Sequence, residues 1–230
     1  MSQDFNKRVL SPPNRNQEAP RVSDTVIEGP AGRLEAKFAR ADRPEAPLAL
    51  ILHPHPLYGG AMSNKVVFAL HRGFRRHGFA TLRINFRGVG HSQGRYDDGE
   101  GETADALAAL DWLRAGHPKA RSCWLAGYSF GSWIALRALM ERSGVERFVA
   151  VAPPVSLFDF SFLAPCPAPG LILHGARDEL VPEPMVARLV HAHGATIRYH
   201  RLDGADHFFE GHMDELGRRL DAYLERPDAE

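Results

Sequence analysis

The chain has 230 residues, which is enough for one large domain with a substantial core. Hydrophobic residues make up 44% of it and charged residues 24%, an ordinary composition for a globular enzyme. Because 28 basic residues balance 28 acidic ones, no overall field attracts nucleic acid or anionic lipid, and we expect neither nucleic acid nor a membrane as a partner.

The first twenty residues, MSQDFNKRVLSPPNRNQEAP, are polar and contain three prolines. Such a segment buries too little apolar surface to offset the entropy cost of ordering it, which predicts a flexible tail over residues 1–20 and a single domain over 21–230. It lacks the apolar stretch of a signal peptide, and no run approaches the ~18 apolar residues of a membrane span. We expect a cytoplasmic protein with Cys123 and Cys166 as reduced thiols, a bridge between them being the alternative.

Residues 25–40 read as two short strands around a Gly-Pro-Ala-Gly turn, and beyond a loop the pattern becomes regular. Apolar runs typical of buried strands cover 48–53, 79–86, 122–129, 147–155, 170–176 and 196–202. Segments with helical character cover 62–77, 102–115, 131–143, 182–193 and about 208–225. Strands that alternate with helices predict an α/β domain, with a mostly parallel sheet covered by helices on both faces.

The segment LAGYSFGSW, residues 125–133, lies where a predicted strand gives way to a helix. Ser129 stands there between Gly127 and Gly131, in a G-x-S-x-G pattern. A nucleophilic serine must be exposed, held rigidly and close to backbone N–H donors, and a sharp strand-to-helix turn provides all three. The glycines leave room for the crowded backbone, and the helix N-terminus faces developing negative charge. The alternative, a glycine-rich turn with a capping serine, is disfavoured by the strand–turn–helix context.

A serine nucleophile needs a general base, and the base needs a carboxylate that orients it. The segment GARDELVP places Asp178 just beyond the end of a predicted strand, and GADHFF places His207 in the loop after the last strand. Ligand sites of parallel sheets lie at the carboxyl ends of the strands, so we predict that Ser129, Asp178 and His207 converge there as a triad. Weaker alternatives for the carboxylate are Glu179, Asp203 and Asp206.

An acyl-transfer site also needs N–H donors for the negative oxygen of the tetrahedral intermediate. The amide of Phe130, directly after the nucleophile, is expected to be one donor. The second is expected from the loop HPHPLYGGAMSNK, residues 53–65, whose prolines have no N–H and stiffen the turn. The candidate donors there are the amides of His55, Leu57 and Tyr58, and we favour Leu57.

Two further patterns resemble cofactor sites, but each lacks a feature that such a site requires, so no cofactor is expected. His53 and His55 have the spacing of a ligand pair, but no third ligand is evident, so no metal is expected. The segment NFRGVGHSQG, residues 85–94, is rich in glycine but does not have the dinucleotide-binding spacing at the start of a helix. Arg87 within it is interpreted as a brace between loops rather than a substrate ligand.

Five segments together resemble the α/β-hydrolase superfamily: GYSFGS, GARDELVP, GADHFF, FRGVGHSQG and HPHPLYGG. The last is similar to the loop of a group of compact bacterial serine hydrolases. The resemblance covers about residues 22–226 and implies an eight-stranded, mostly parallel sheet. The region before the acid, residues 156–169, has only 14 residues. This is too few for the helical lid domain of larger relatives, so an open site is expected.

These observations predict a serine hydrolase that cleaves small carboxylic esters or thioesters through an acyl-enzyme intermediate, with no cofactor. A peptidase or amidase is the alternative within enzymes, and a non-catalytic binding module on the same scaffold is the alternative outside them. For several apolar side chains, an acyl pocket and the ordinary core are equal expectations. These side chains are Leu57, Tyr58, Phe130, Phe158, Phe160 and Phe162.

Overall fold

The computed structural model describes residues 22–193 and 196–228, and the predicted tail lies outside these ranges. Eight strands are described: β1 (Val22–Gly29), β2 (Gly32–Ala39), β3 (Leu48–Leu52), β4 (Ala80–Ile84), β5 (Cys123–Tyr128), β6 (Arg147–Val151), β7 (Gly170–Gly175) and β8 (Ile197–Leu202). Five α-helices are described: α1 (Lys65–Arg76), α2 (Glu100–Ala115), α3 (Phe130–Glu141), α4 (Glu183–His193) and α5 (Met213–Glu225). From β3 onward, strands and α-helices alternate except between β6 and β7, as the sequence predicted.

The strands form one sheet in the order β1-β2-β4-β3-β5-β6-β7-β8. The β1–β2 hairpin is antiparallel, and β2 also pairs antiparallel with β4. The other strands pair parallel, so their carboxyl ends lie along one edge. The sheet is therefore mixed, with six mutually parallel strands, and β5 lies near its centre. A loop that follows β5 is flanked by loops from neighbouring strands on both sides.

Two hydrophobic clusters cover the two faces of the sheet. On one face, alternate residues of the strands pack against α2 and α3, with Leu110 and Ile134 among the fully buried contacts. On the other face they pack against α1 and α5, with Phe74 and Leu220 buried. The central strands β3, β4, β5 and β7 are buried along their whole length, which explains their continuous apolar runs.

Two elements show the largest differences from the predicted bounds. Strand β6 ends at Val151 rather than continuing to residue 155, because Pro153 and Pro154 follow and cannot donate ladder hydrogen bonds. Helix α5 begins at Met213 rather than near residue 208. Phe209 has a left-handed φ of 55°, which no helix accommodates, and it keeps residues 203–212 as a loop.

Residues 152–169, between β6 and β7, contain a single 3₁₀ turn over Ser161–Leu163 and no lid domain. Arg87 connects the loop after β4 to helix α2, which agrees with its predicted role as a brace. Its backbone and guanidinium nitrogens donate to the fully buried Asp105 of α2 at 2.8–3.0 Å.

Within 22–193 and 196–228, no helix combines the length and apolarity needed to cross a membrane.

Candidate active site

Ser129 occupies a strained turn between β5 and α3. Its φ of 51° and ψ of −122° fall in a region that a residue with a Cβ rarely adopts. The flanking glycines explain how the turn closes. A Cβ at Gly127 would lie 2.1 Å from the Gly131 carbonyl oxygen, and a Cβ at Gly131 would lie 2.4 Å from the Leu52 carbonyl oxygen. The two glycines therefore allow the strand, the helix and β3 to approach closely while the serine side chain projects from the bend.

The structure brings the three predicted triad side chains together. His207 Nε2 lies 3.0 Å from Ser129 Oγ, and His207 Nδ1 lies 2.7 Å from Asp178 Oδ2. Ser129 follows β5, Asp178 follows β7 and His207 follows β8. Because these strands are parallel, the three residues lie at one edge of the sheet. Ser129 is partly accessible, whereas His207 and Asp178 are buried. A base within hydrogen-bond distance of the hydroxyl, and held by a carboxylate, is the arrangement that activates a serine.

Asp178 is held by its own loop as well as by His207. Its Oδ1 accepts hydrogen bonds from the amides of Leu180 at 3.0 Å and Val181 at 2.8 Å, which leaves Oδ2 directed at the imidazole. Behind it, the fully buried His174 bonds to the Val181 carbonyl through Nε2 at 2.9 Å. Burial lowers the pKa of His174, which therefore supports the loop as a neutral ring that donates from Nε2.

The alternative carboxylates have other contacts. Asp203 pairs with Arg201 at 2.8 Å, and Asp206 accepts a hydrogen bond from the Glu210 amide at 3.0 Å. Glu179 is exposed. Sequence proximity to Asp178 or His207 therefore does not bring these groups to the imidazole, and the choice of Asp178 agrees with the geometry.

The amide of Phe130 is the first of α3, where backbone N–H groups lack an acceptor within the helix. In the second loop, the Leu57 amide donates to His55 Nδ1 at 3.2 Å. The amide of His55 has no acceptor among the described residues. Since the Leu57 hydrogen is already bonded, the geometry favours His55 over our sequence choice of Leu57 as the second donor. The relevant sequence signal is its position between two prolines, which limits the N–H groups of this turn.

The buried side chain of His53 holds the loop that carries His55. The His53 ring is fully buried, donates from Nδ1 to the Pro54 carbonyl at 2.6 Å and accepts the Phe86 amide at Nε2 at 3.0 Å. Burial lowers its pKa to about 4, so the ring is neutral at pH 7. A Cβ at Gly60 would lie 2.0 Å from the Pro54 carbonyl oxygen, so the returning chain also packs tightly on this turn. These contacts hold the 54–55 peptide in one orientation.

The aromatic candidates divide between core and surface. Phe130 and Phe160 are buried, Phe158 and Phe162 are partly buried, and Tyr58 is 85% exposed. Phe158 stacks on Trp133 at 4.4 Å between ring centroids. Four exposed apolar side chains also lie in loops after β3, β6, β7 and β8: Leu57, Leu157, Leu180 and Phe208. The loops around Ser129 thus present apolar surface to solvent.

Comparison with known proteins places these features in context. Residues 29–170, more than half of the chain, match the family model of X-Pro dipeptidyl-peptidases, the S15 family. The chain is 48% identical over 207 residues to an uncharacterised protein of Rickettsia prowazekii (strain Madrid E), an alignment that spans 86% of this chain and 87% of the other.

Solved structures of α/β hydrolases are similar to this chain in sequence and fold. A protein from Agrobacterium tumefaciens described as an α/β hydrolase has 47% identity and a TM-score of 0.87, over 89% of this chain and 96% of its own. A lidless α/β serine hydrolase from Xanthomonas campestris has 31% identity and a TM-score of 0.82, over 91% of this chain and 96% of its own.

Proposed function

This chain belongs to the α/β serine hydrolases, in the family that the S15 model describes, and from that premise we propose that it hydrolyses carboxylic esters or thioesters. The single observation that carries the proposal is the continuous contact from Asp178 through His207 to Ser129, at 2.7 and 3.0 Å. A hydroxyl, a base and an orienting acid in series activate an oxygen nucleophile for acyl transfer.

In the proposed reaction, Ser129 Oγ attacks the carbonyl carbon while His207 Nε2 takes the hydroxyl proton. The carbonyl oxygen becomes negative and accepts hydrogen bonds from the amides of Phe130 and His55. The protonated His207 then gives its proton to the departing alkoxide or thiolate, which leaves the acyl group on Ser129. Water attacks this ester, with His207 as base, and releases the acid and the serine.

Each supporting residue has a definite part in these steps. Asp178 holds the His207 tautomer with the proton on Nδ1 and stabilises the imidazolium as it forms. The strained turn at Ser129 keeps the nucleophile next to the first amides of α3. The donors are fixed by backbone structure, so they require little reorganisation as charge develops.

The match to the S15 model favours a peptidase as the second candidate. A peptidase has to grip a peptide on both sides of the scissile bond and protonate a poor leaving group. The segment between β6 and β7, residues 152–169, carries one 3₁₀ turn and no lid domain. This shape supports small, activated acyl substrates over peptides. Side-by-side rates on p-nitrophenyl esters, an acyl thioester and an X-Pro p-nitroanilide would discriminate the two.

Labelling with a fluorophosphonate tests the proposed chemistry directly, because the reagent reacts with an activated serine. Wild type should label and hydrolyse esters, and Ser129→Ala should do neither. Ser122→Ala is the matched control, since this serine lies just before the opposite end of β5, and it should behave as wild type. Equal labelling of wild type and Ser129→Ala would refute the assignment. A folded wild type without labelling or turnover would indicate a binding module.

A further inference from the structure

Tyr128 lies directly before the nucleophile and has no part in the steps above. Its side chain is 2% exposed and lies in the cluster packed under α1 and α5. Its hydroxyl donates to the backbone carbonyl of His207 at 2.9 Å, across 79 positions of sequence. Tyr128 is thus bonded covalently to the nucleophile and by a hydrogen bond to the base. We propose that Tyr128 is a positioning residue that holds His207 in register with Ser129, an inference that rests on the proposed function.

The loop that carries His207 needs such a restraint. It follows β8, which lies at one edge of the sheet and has a neighbour on one side only among the described strands. Asp178 holds the imidazole at Nδ1, but this bond alone would let the ring pivot and carry Nε2 away from Ser129 Oγ. The bond from Tyr128 fixes the backbone end of the same residue. With both ends held, Nε2 has one position, and that position is 3.0 Å from Ser129 Oγ.

The rigid backbone at Ser129 lets its neighbour Tyr128 fix the position of His207 relative to the nucleophile. Ser129 has a left-handed φ, and its amide donates to the Val151 carbonyl at 2.8 Å, so the turn is rigid. A shift of Tyr128 would therefore move Ser129 with it. Among the described residues, the Tyr128 hydroxyl is the donor that satisfies the His207 carbonyl. Breaking this bond would leave a buried carbonyl unpaired and free the loop to relax.

Ring packing restrains the same loop. The Tyr128 ring lies 5.6 Å from the His207 ring and 6.5 Å from the Phe209 ring, between centroids. Phe209 is fully buried and has a φ of 55°, so burial of its side chain offsets part of the cost of an unfavourable backbone conformation. Burial, together with the charges of Asp178 and Asp206, raises the pKa of Tyr128 well above its usual range. The phenol therefore remains a donor throughout the working pH range.

The test is a double-mutant cycle on ester hydrolysis and on the rate of fluorophosphonate labelling. Tyr128→Phe keeps the ring and removes the hydroxyl. We expect it to lower kcat by about 10- to 100-fold, the scale of a misplaced catalytic group, with little change in KM. In a His207→Ala background, the same substitution should change the residual rate less than twofold. Tyr199→Phe is the matched control, because it removes a hydroxyl that bonds Glu183 instead, and should have no effect.

The outcomes separate this inference from the proposed function. If His207→Ala is as active as wild type, the triad proposal itself fails. If His207→Ala loses most of its activity as expected but Tyr128→Phe matches wild type, only the positioning role fails. A loss in Tyr128→Phe that persists fully without His207 would also overturn it, since the effect would then act through the fold. If Tyr128→Phe does not fold, Phe209→Leu is the substitute variant, because it loosens the same loop. The fall in kcat that Phe209→Leu causes should likewise disappear in the His207→Ala background.

Discussion

The oxyanion hole offers a sharp prediction, because one of its proposed donors can be deleted from the backbone. His55→Pro removes the N–H at that position. His55 has a φ of −53°, inside the range that proline imposes, and its amide has no acceptor among the described residues. Loss of this backbone N–H therefore removes no hydrogen bond that the fold uses. The substitution also deletes the imidazole, so His55→Ala is the required comparison.

The expected size of the effect follows from the function of that amide. Both variants lose the hydrogen bond that the Leu57 amide donates to His55 Nδ1 and the 3.2 Å contact between His55 Nε2 and the Tyr96 hydroxyl. They differ in the backbone donor. Loss of one oxyanion donor typically lowers kcat by about 10²- to 10³-fold, or about 2.7–4 kcal/mol of transition-state stabilisation. His55→Pro should therefore be slower than His55→Ala by that factor.

The assay is steady-state hydrolysis of p-nitrophenyl acetate, with thermal unfolding of each variant as the check on folding. We expect similar melting temperatures for the two variants and similar KM values. Equal kcat values for His55→Pro and His55→Ala would refute the reasoning. The Leu57→Pro and Leu57→Ala pair completes the experiment. A large difference in this second pair would restore Leu57, our choice from the sequence, as the donor.

Three further predictions concern the acid, the buried histidines and the Arg87 brace. Asp178→Asn should lower kcat by about 10⁴-fold, measured as initial rates, because the amide disfavours the required His207 tautomer. Burial lowers the pKa of both His53 and His71 from 6.5 to about 4, so unfolding takes up protons between these values. Stability should fall as pH drops from 6.5 to 4, by about 3 kcal/mol per histidine, measured by thermal unfolding. Asp105→Ala should cost about 3–5 kcal/mol in chemical denaturation, since it removes the 2.8 Å partner of the buried Arg87 and leaves the longer 3.6 Å contact with the exposed Asp97.

Each of these has an outcome that would contradict it. Full activity in Asp178→Asn would show that another group orients the base. For the pH effect, His71→Gln should remove about half of the fall in stability between pH 6.5 and 4, since His53 causes the rest, and an unchanged profile would show that His71 does not contribute. For Arg87, the control is Asp111→Ala. Asp111 pairs with Arg142 at the surface, so its loss should cost less than about 1 kcal/mol. Equal losses of stability in Asp105→Ala and Asp111→Ala would show that burial does not make the Arg87–Asp105 pair more important than a surface pair.

Much of this protein can be read locally from its sequence. The alternation of strands and helices follows from burial patterns that repeat within each element. Ser129 ends a predicted strand, Asp178 and His207 each follow one, and the carboxyl ends of parallel strands meet at one edge. The steric role of Gly127 and Gly131 was also predictable, because a sharp turn between a strand and a helix always crowds the same backbone atoms. These conclusions depend on neighbours in sequence and on a general rule of topology.

Other features were decided by the tertiary structure. The Leu57 amide is bonded within its loop, which a list of candidate donors does not reveal. Helix α5 begins late because Phe209 is buried in a left-handed conformation. The bond from Tyr128 to the His207 carbonyl joins groups 79 positions apart. Local patterns predict which residues can act as donors, acids and bases, but the pairing of these groups depends on distances of a few tenths of an ångström, which the packing of the whole domain sets.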